Sequence, residues 1–221
     1  MGSTRTRTTA GLVLPVLIMA LCSGTSGSTP PPPPTPGALH VLAVGDSITE
    51  ADSEDFDDAQ LGPSSWARFL DGDGVQVVGG WAHAGATTED ILQGLDGRPP
   101  ATAATAAPDV LVIMAGNNDV DASVPFDVVD ENLVAIAGIV HAPRVVLSTI
   151  APEDQEAAAV TDFDARLPEL ATRQGWQLVD PMAGVSDGRG HYVPGMSDDG
   201  VHPTAAGARL IGAALRSALT R

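Results

Sequence analysis

The chain has 221 residues, 43% of them hydrophobic and 18% charged, enough for one well-covered core and short for two ordinary domains. Its 28 acidic residues against 11 basic ones, all arginine, give a formal net charge of −17, a field that repels nucleic acid and anionic membrane surfaces and favours neutral or cationic ligands. With Cys22 as the single cysteine there is no internal disulfide and no Cys/His cluster of zinc-site spacing, so stability has to come from packing.

Arg5 and Arg7 precede an apolar run from Gly11 to Cys22 and then small residues from Ser23 to Ser28. That layout predicts a secretory signal peptide over residues 1–28, hence export of the mature protein. The run is about a dozen residues and contains Pro15, whereas a spanning helix needs roughly 20, so stable membrane insertion is not expected. Leu21 is bulky where a bacterial lipobox takes Gly, Ala or Ser, which argues against a lipid anchor on Cys22. Residues 29–37, with Pro30 to Pro34 and Pro36, read as an extended polyproline spacer, and residues 38–221 as the folded domain.

From there short, β-branched runs alternate with amphipathic ones. Leu39 to Val44, Val75 to Val78, Val110 to Ala115, Val145 to Ile150 and Trp176 to Val179 are bounded by Gly, Pro or Asp and predict buried strands. Ser64 or Ser65 caps a helix carrying Trp66, Phe69 and Leu70, and Thr87 with Asp90 resembles a capping box for a helix carrying Ile91, Leu92 and Leu95. Further helices are expected over Pro125 to Val140, Glu153 to Arg173 and Thr204 to Ala218, and Ala101 to Ala107 as a helix tail or loop. Alternating strands and helices imply an α/β fold, a three-layer α/β/α sandwich around a five-stranded parallel sheet. In such sheets chemistry belongs just after the strands, at their carboxyl ends.

Three short stretches carry candidate groups. Gly45-Asp46-Ser47 follows the first strand, where a serine on a strand-to-helix turn exposes its hydroxyl, although Gly-Asp-Ser is also an ordinary turn. Gly116-Asn117-Asn118-Asp119 follows the third; an Asn amide there can donate to a developing oxyanion, or simply close the strand in an Asx turn. Near the C-terminus Asp199 stands three residues before His202, a spacing that lets a carboxylate fix the imidazole tautomer and equally suits a metal pair or a capping loop.

Taken in order, Gly-Asp-Ser, Gly85 within Ala84-Gly85-Ala86-Thr87-Thr88, Gly-x-Asn-Asp and Asp-x-x-His-Pro resemble the four blocks of the SGNH (GDSL-like) hydrolase family, over residues 41–203. The resemblance implies the flavodoxin-like SGNH fold and a serine esterase. Ser47 would be the nucleophile, His202 the general base and Asp199 its orienting acid. The oxyanion hole would comprise the backbone N–H groups of Ser47 and Gly85 and the side-chain amide of Asn118. Asn117 and Asn118 are neighbours able to exchange roles, and the family spacing favours Asn118. No cofactor and no metal are implied. The expected partner is a small-molecule or glycan ester, leading with carbohydrate O-acetyl groups; a lipase or lysophospholipase, or a non-catalytic glycan-binding protein of the same fold, are the alternatives.

Other features read as structural. The stretch 50–58 (EADSEDFDD) has six acidic residues in nine and is expected as a solvated loop rimming the pocket, lacking the glycine of an EF-hand. Trp81 and His83 suit pocket lining or core packing equally, and His191 and Tyr192 lie in the long loop before Asp199. The absence of a Gly-x-Gly-x-x-Gly helix start and of a P-loop removes the phosphate cradles of nucleotide chemistry.

Overall fold

Five strands, β1 (Leu39–Gly45), β2 (Val75–Ala82), β3 (Val110–Met114), β4 (Arg144–Ser148) and β5 (Gln177–Val179), pair in parallel in the order β2-β1-β3-β4-β5. The computed structural model describes residues 35–96 and 108–221, together with Gly2 and Pro33. The expected leader, most of the spacer and the Ala101 to Ala107 stretch lie outside the described residues.

Side-chain alternation divides the strands between two cores. Val41, Ala43, Val110, Val112, Met114 and Val146 face one side of the sheet, where they pack with α2 (Trp66–Leu70) and α8 (Ala205–Leu219). Leu42, Val44, Leu111, Ile113 and Leu147 face the other, against α3 (Thr88–Leu95), α5 (Phe126–Val140), α6 (Ala157–Asp164) and α7 (Leu167–Gln174). This is the expected three-layer sandwich, and both faces are apolar because both are covered. Burying any one of these Val or Leu side chains is worth about 1.5–3 kcal/mol, so the sheet is anchored from both sides.

Two short helices follow β1 and β3 directly, α1 (Ser47–Glu50) and α4 (Asn117–Asp121). They flank the point where the strand order reverses: β1 is followed by a crossover to one side and β3 by crossovers to the other. That switch point is where open α/β sheets leave a crevice.

Two expectations are corrected. The single helix over Glu153 to Arg173 is two helices, α6 and α7. Pro168, in the first turn of α7, has no N–H to donate and cannot continue a helix arriving from α6. Nor does the helix begin at Glu153: the N–H groups of Glu153 and Asp154 donate instead to the carbonyls of Gly190 (2.9 Å) and Gly200 (2.8 Å), so this backbone is committed to the loop that carries Asp199. Strand β2 runs to Ala82, past Gly79 and Gly80, through a register shift opposite Val41 and Ala43; the glycine pair that suggested a strand end is a bulge.

Candidate active site

At the end of β1 the chain turns sharply into α1. A Cβ on Gly45 would lie 2.1 Å from Thr49 Oγ1 and 2.5 Å from the Met114 carbonyl, so only glycine fits. Asp46 caps α1, its Oδ1 accepting from the Ile48 N–H at 3.0 Å. The helix is pinned from α2: Ser65 Oγ donates to the Thr49 carbonyl (2.6 Å) and Trp66 Nε1 to Thr49 Oγ1 (3.1 Å). Asp46 is fully buried and its Oδ2 has no hydrogen-bond partner among the described residues; burial lifts its carboxyl to about 7, against the Ile48 hydrogen bond and the nearby His202.

The Ser47 hydroxyl meets His202 Nε2 at 2.9 Å, and His202 Nδ1 meets Asp199 Oδ2 at 2.8 Å. The other carboxylate oxygen of Asp199 accepts from the backbone N–H groups of His202 (2.8 Å) and Val201 (2.9 Å) and from Ser197 Oγ (3.1 Å). Desolvation pushes the Asp199 carboxyl up, but it is outweighed by the backbone and imidazole of His202 and by Val201, which hold it well below the usual carboxylate range. An ionised Asp199 accepts a hydrogen bond from Nδ1–H and so fixes the tautomer in which Nε2 is bare to accept from Ser47. Two segments 155 residues apart in sequence therefore converge on one hydrogen-bonded chain.

The loop bearing His202 is braced from below. Tyr192 Oη donates to the Val201 carbonyl (2.9 Å) and the Tyr192 N–H to Asp154 Oδ1 (2.9 Å). Burial pushes the Tyr192 phenol above its ordinary range, so it stays a donor. His191 is exposed, and neither residue lines the Ser47 cavity.

The two asparagines separate clearly. Asn117 is buried and its amide donates to the Ala151 carbonyl at 3.0 Å, which commits it to the core. Asn118, partly buried, donates one amide hydrogen to the Ala86 carbonyl (3.0 Å), leaving its second to a ligand. Asp119, which sequence reasoning passed over, grips the same segment: it accepts from the Thr88 N–H (2.9 Å) and Thr88 Oγ1 (2.7 Å), and burial raises its carboxyl against those bonds. Asn118 and Asp119 thus hold the loop containing Gly85 from one side. Glu50 holds it from the other, accepting from the Ala84 N–H at 2.7 Å. Gly85 itself has φ 77° with nothing within 4 Å of its missing Cβ, so backbone conformation rather than space selects glycine. The sequence signal for Asp119 was its place in the third block; Glu50 had none, since its partner is a backbone group 34 positions away.

A cavity of about 340 Å³ opens beside these groups, lined by Ser47, Ile48, Glu50, Ala51, Asp52, Ser64, Ala84, His202 and Pro203. Trp81 and His83 are not in it. Trp81 lies against Gly94 of α3 and meets His83 edge to face at 4.4 Å. The acidic stretch is less open than expected: Glu50 belongs to α1, Phe56 is buried and Asp55 bridges Gln60. Among the described residues no group of three or more His, Cys, Asp or Glu is arranged to hold a metal ion, and no helix is long and apolar enough to cross a membrane. A second cavity, about 470 Å³, lies at the ends of β4 and β5 with Thr149, Asp164, Asp180 and Asp187 in its wall.

The model of the GDSL-like lipase/acylhydrolase family matches residues 43–210, most of the chain and all four blocks. The chain belongs to that family. Among solved structures, this acylhydrolase is similar to an acetylxylan esterase from Geobacillus stearothermophilus, solved as a catalytic mutant (TM-score 0.63, 20% identity, 81% of this chain and 93% of that one). It is also similar to a GDSL-like lipase from Bacteroides thetaiotaomicron (0.63, 21%, 85% and 90%) and a lipase/acylhydrolase from Enterococcus faecalis (0.63, 21%, 81% and 94%). At these identities the structures establish the shared fold. No curated protein matches the chain. Family membership implies ester hydrolysis.

Proposed function

We propose that this acylhydrolase is an exported serine esterase that cleaves short acyl esters, with carbohydrate O-acetyl groups as the leading class, through an acyl-enzyme on Ser47. The observation that carries the reading is the chain Ser47 to His202 to Asp199 at 2.9 and 2.8 Å. The open, small-walled cavity beside Ser47 suits a compact acyl group, and large exposed apolar side chains among the described residues amount to Val128 and Leu210, which gives a lipid interface little to rest on. The likeness to an acetylxylan esterase points the same way.

In this mechanism Ser47 Oγ attacks the ester carbonyl carbon while its proton passes to His202 Nε2. The carbonyl π pair moves onto oxygen, and the oxyanion is held by the N–H groups of Ser47 and Gly85 and the free amide hydrogen of Asn118. Collapse expels the alcohol, which leaves with the proton from His202. Water then repeats the sequence on the acyl-enzyme, restoring Ser47 and releasing the acid. Asp199 stays ionised throughout and stabilises the imidazolium it faces.

The test is hydrolysis of p-nitrophenyl esters from acetate to palmitate, and acetate release from acetylated xylan, by wild type and Ser47→Ala. Short-chain cleavage lost in the variant supports the proposal. A rate that rises with chain length makes the protein a lipase or lysophospholipase, and a folded wild type that binds glycan without cleaving any ester is a binding protein. Export is checked by N-terminal sequencing of protein recovered from the medium, where a start near residue 29 is expected.

A further inference from the structure

A third cavity, about 360 Å³, lies on the far side of His202 and is lined by Ser64, Asp198, Asp199, His202, Pro203, Thr204 and Ala205. It shares Ser64, His202 and Pro203 with the Ser47 cavity, so the two form one groove that passes the Ser47–His202 pair. Glu50 and Asp52 line one arm and Asp198 and Asp199 the other, while no arginine among the described residues lines either.

These carboxylates are not equivalent. Asp199 is engaged by His202, and Glu50 by the Ala84 N–H, with His83 Nδ1 3.6 Å from its second oxygen. Asp52 and Asp198 are exposed and make no side-chain hydrogen bond or ion pair among the described residues. Asp52 sits just past the end of α1 at φ 55°, a conformation that Asp and Asn take more readily than other side chains, so its backbone is fixed while its carboxylate remains unused. Between the two free charges stands the pair that defines where a substrate's ester must lie, which makes them walls of a binding groove rather than a charged patch of surface.

We propose that the groove selects esters whose alcohol part carries a positive charge, an ammonium group reaching Asp52 or Asp198 while the carbonyl sits at Ser47. The proposal rests on Ser47 being the nucleophile. The field of a chain with net charge −17 draws the same substrates toward the site and repels anionic esters. An acetylated amino sugar or amino alcohol has this chemistry.

The test compares acetylcholine with 3,3-dimethylbutyl acetate, the same shape without the charge, alongside p-nitrophenyl acetate, using the whole protein. The expected ratio of kcat/KM, cationic over neutral, is about tenfold at low ionic strength, the scale of two exposed ion pairs. It should shrink in 0.5 M NaCl, fall in Asp52→Asn or Asp198→Asn, and fall furthest in the double variant. Asn suits the backbone at Asp52, so the variant tests charge rather than conformation. A wild-type ratio at or below one, a ratio that neither salt nor the substitutions move, or cleavage of p-nitrophenyl acetate with neither of the paired esters overturns the groove's role and leaves the serine esterase standing. Failure on p-nitrophenyl acetate as well, by a folded protein, overturns both.

Discussion

Two cavities open on the same edge of the sheet, and the larger one lacks the means for the chemistry. The cavity at the ends of β4 and β5, about 470 Å³, has hydroxyls and carboxylates, with Thr149 Oγ1 donating to Asp180 Oδ1 at 3.1 Å. The cavity beside β1, about 340 Å³, has a hydroxyl joined to a carboxylate through an imidazole. A threonine hydroxyl that donates directly to a carboxylate has no neutral base to accept its proton and later return it. Placement differs too: the smaller cavity lies at the switch point, where loops after β1, β2 and β3 meet and can supply donors to an oxyanion. The proposed site is therefore chosen by its linked proton path, not by volume or acidity.

The largest effect that can break this contrast is Ser47→Ala, expected to lower kcat by roughly 10⁴- to 10⁶-fold, while Thr149→Ala in the other cavity leaves it within about twofold. A p-nitrophenyl acetate assay that returned the opposite pattern would move the site to β4 and β5. Next comes Asn118→Ala, expected to cost about 100- to 1,000-fold in kcat through the lost oxyanion donor, with circular dichroism unchanged and about 1–3 kcal/mol of stability lost as the Ala86 carbonyl loses its donor. Its neighbour provides the control: Asn117→Ala should cost about 1–3 kcal/mol of stability, read from urea unfolding, because the buried Ala151 carbonyl loses its donor.

The smallest expected effect lies in the larger cavity and concerns stability. Asp164 accepts from the Ile150 N–H at 3.0 Å, yet burial raises its carboxyl to about 7. A carboxyl that holds its proton more tightly when folded stabilises fully below its unfolded value near 4, and that contribution is lost as pH rises through about 7. The wild type should therefore melt lower at pH 8 than at pH 5, with Asp164 and Asp46 each contributing roughly 2–3 kcal/mol between those pH values. Asp164→Asn should flatten the Tm profile between those pH values without altering kcat, and an unchanged slope would show that Asp164 is ionised in the folded state.

Much of this was legible before any coordinates. Each of the five strands was found within a few residues, apart from the end of β2, because hydrophobic runs bounded by Gly, Pro or Asp are local signals. The capping box at Thr87 and Asp90 is present with both hydrogen bonds, again a local pattern. Ser47 stands out because its block falls at a strand end, and Asp199 and His202 because a carboxylate three residues before an imidazole is a local spacing. Glu153 misled for the opposite reason: its composition suits a helix, but its backbone is held by Gly190, a contact no helical periodicity encodes.

The sequence by itself determined the class of fold, the strand ends at which chemistry could sit and the identities of the groups there, since these follow from hydrophobic period, turn residues and spacing. Only the tertiary structure decided which of two adjacent asparagines keeps a free amide, that Glu50 and Asp119 clamp the Gly85 loop from opposite sides, and that Asp52 and Asp198 stand unpaired among the described residues along one groove. Those depend on which distant backbone groups arrive beside each side chain, and hydrogen-bond partners and desolvation are properties of that packing rather than of neighbours along the chain.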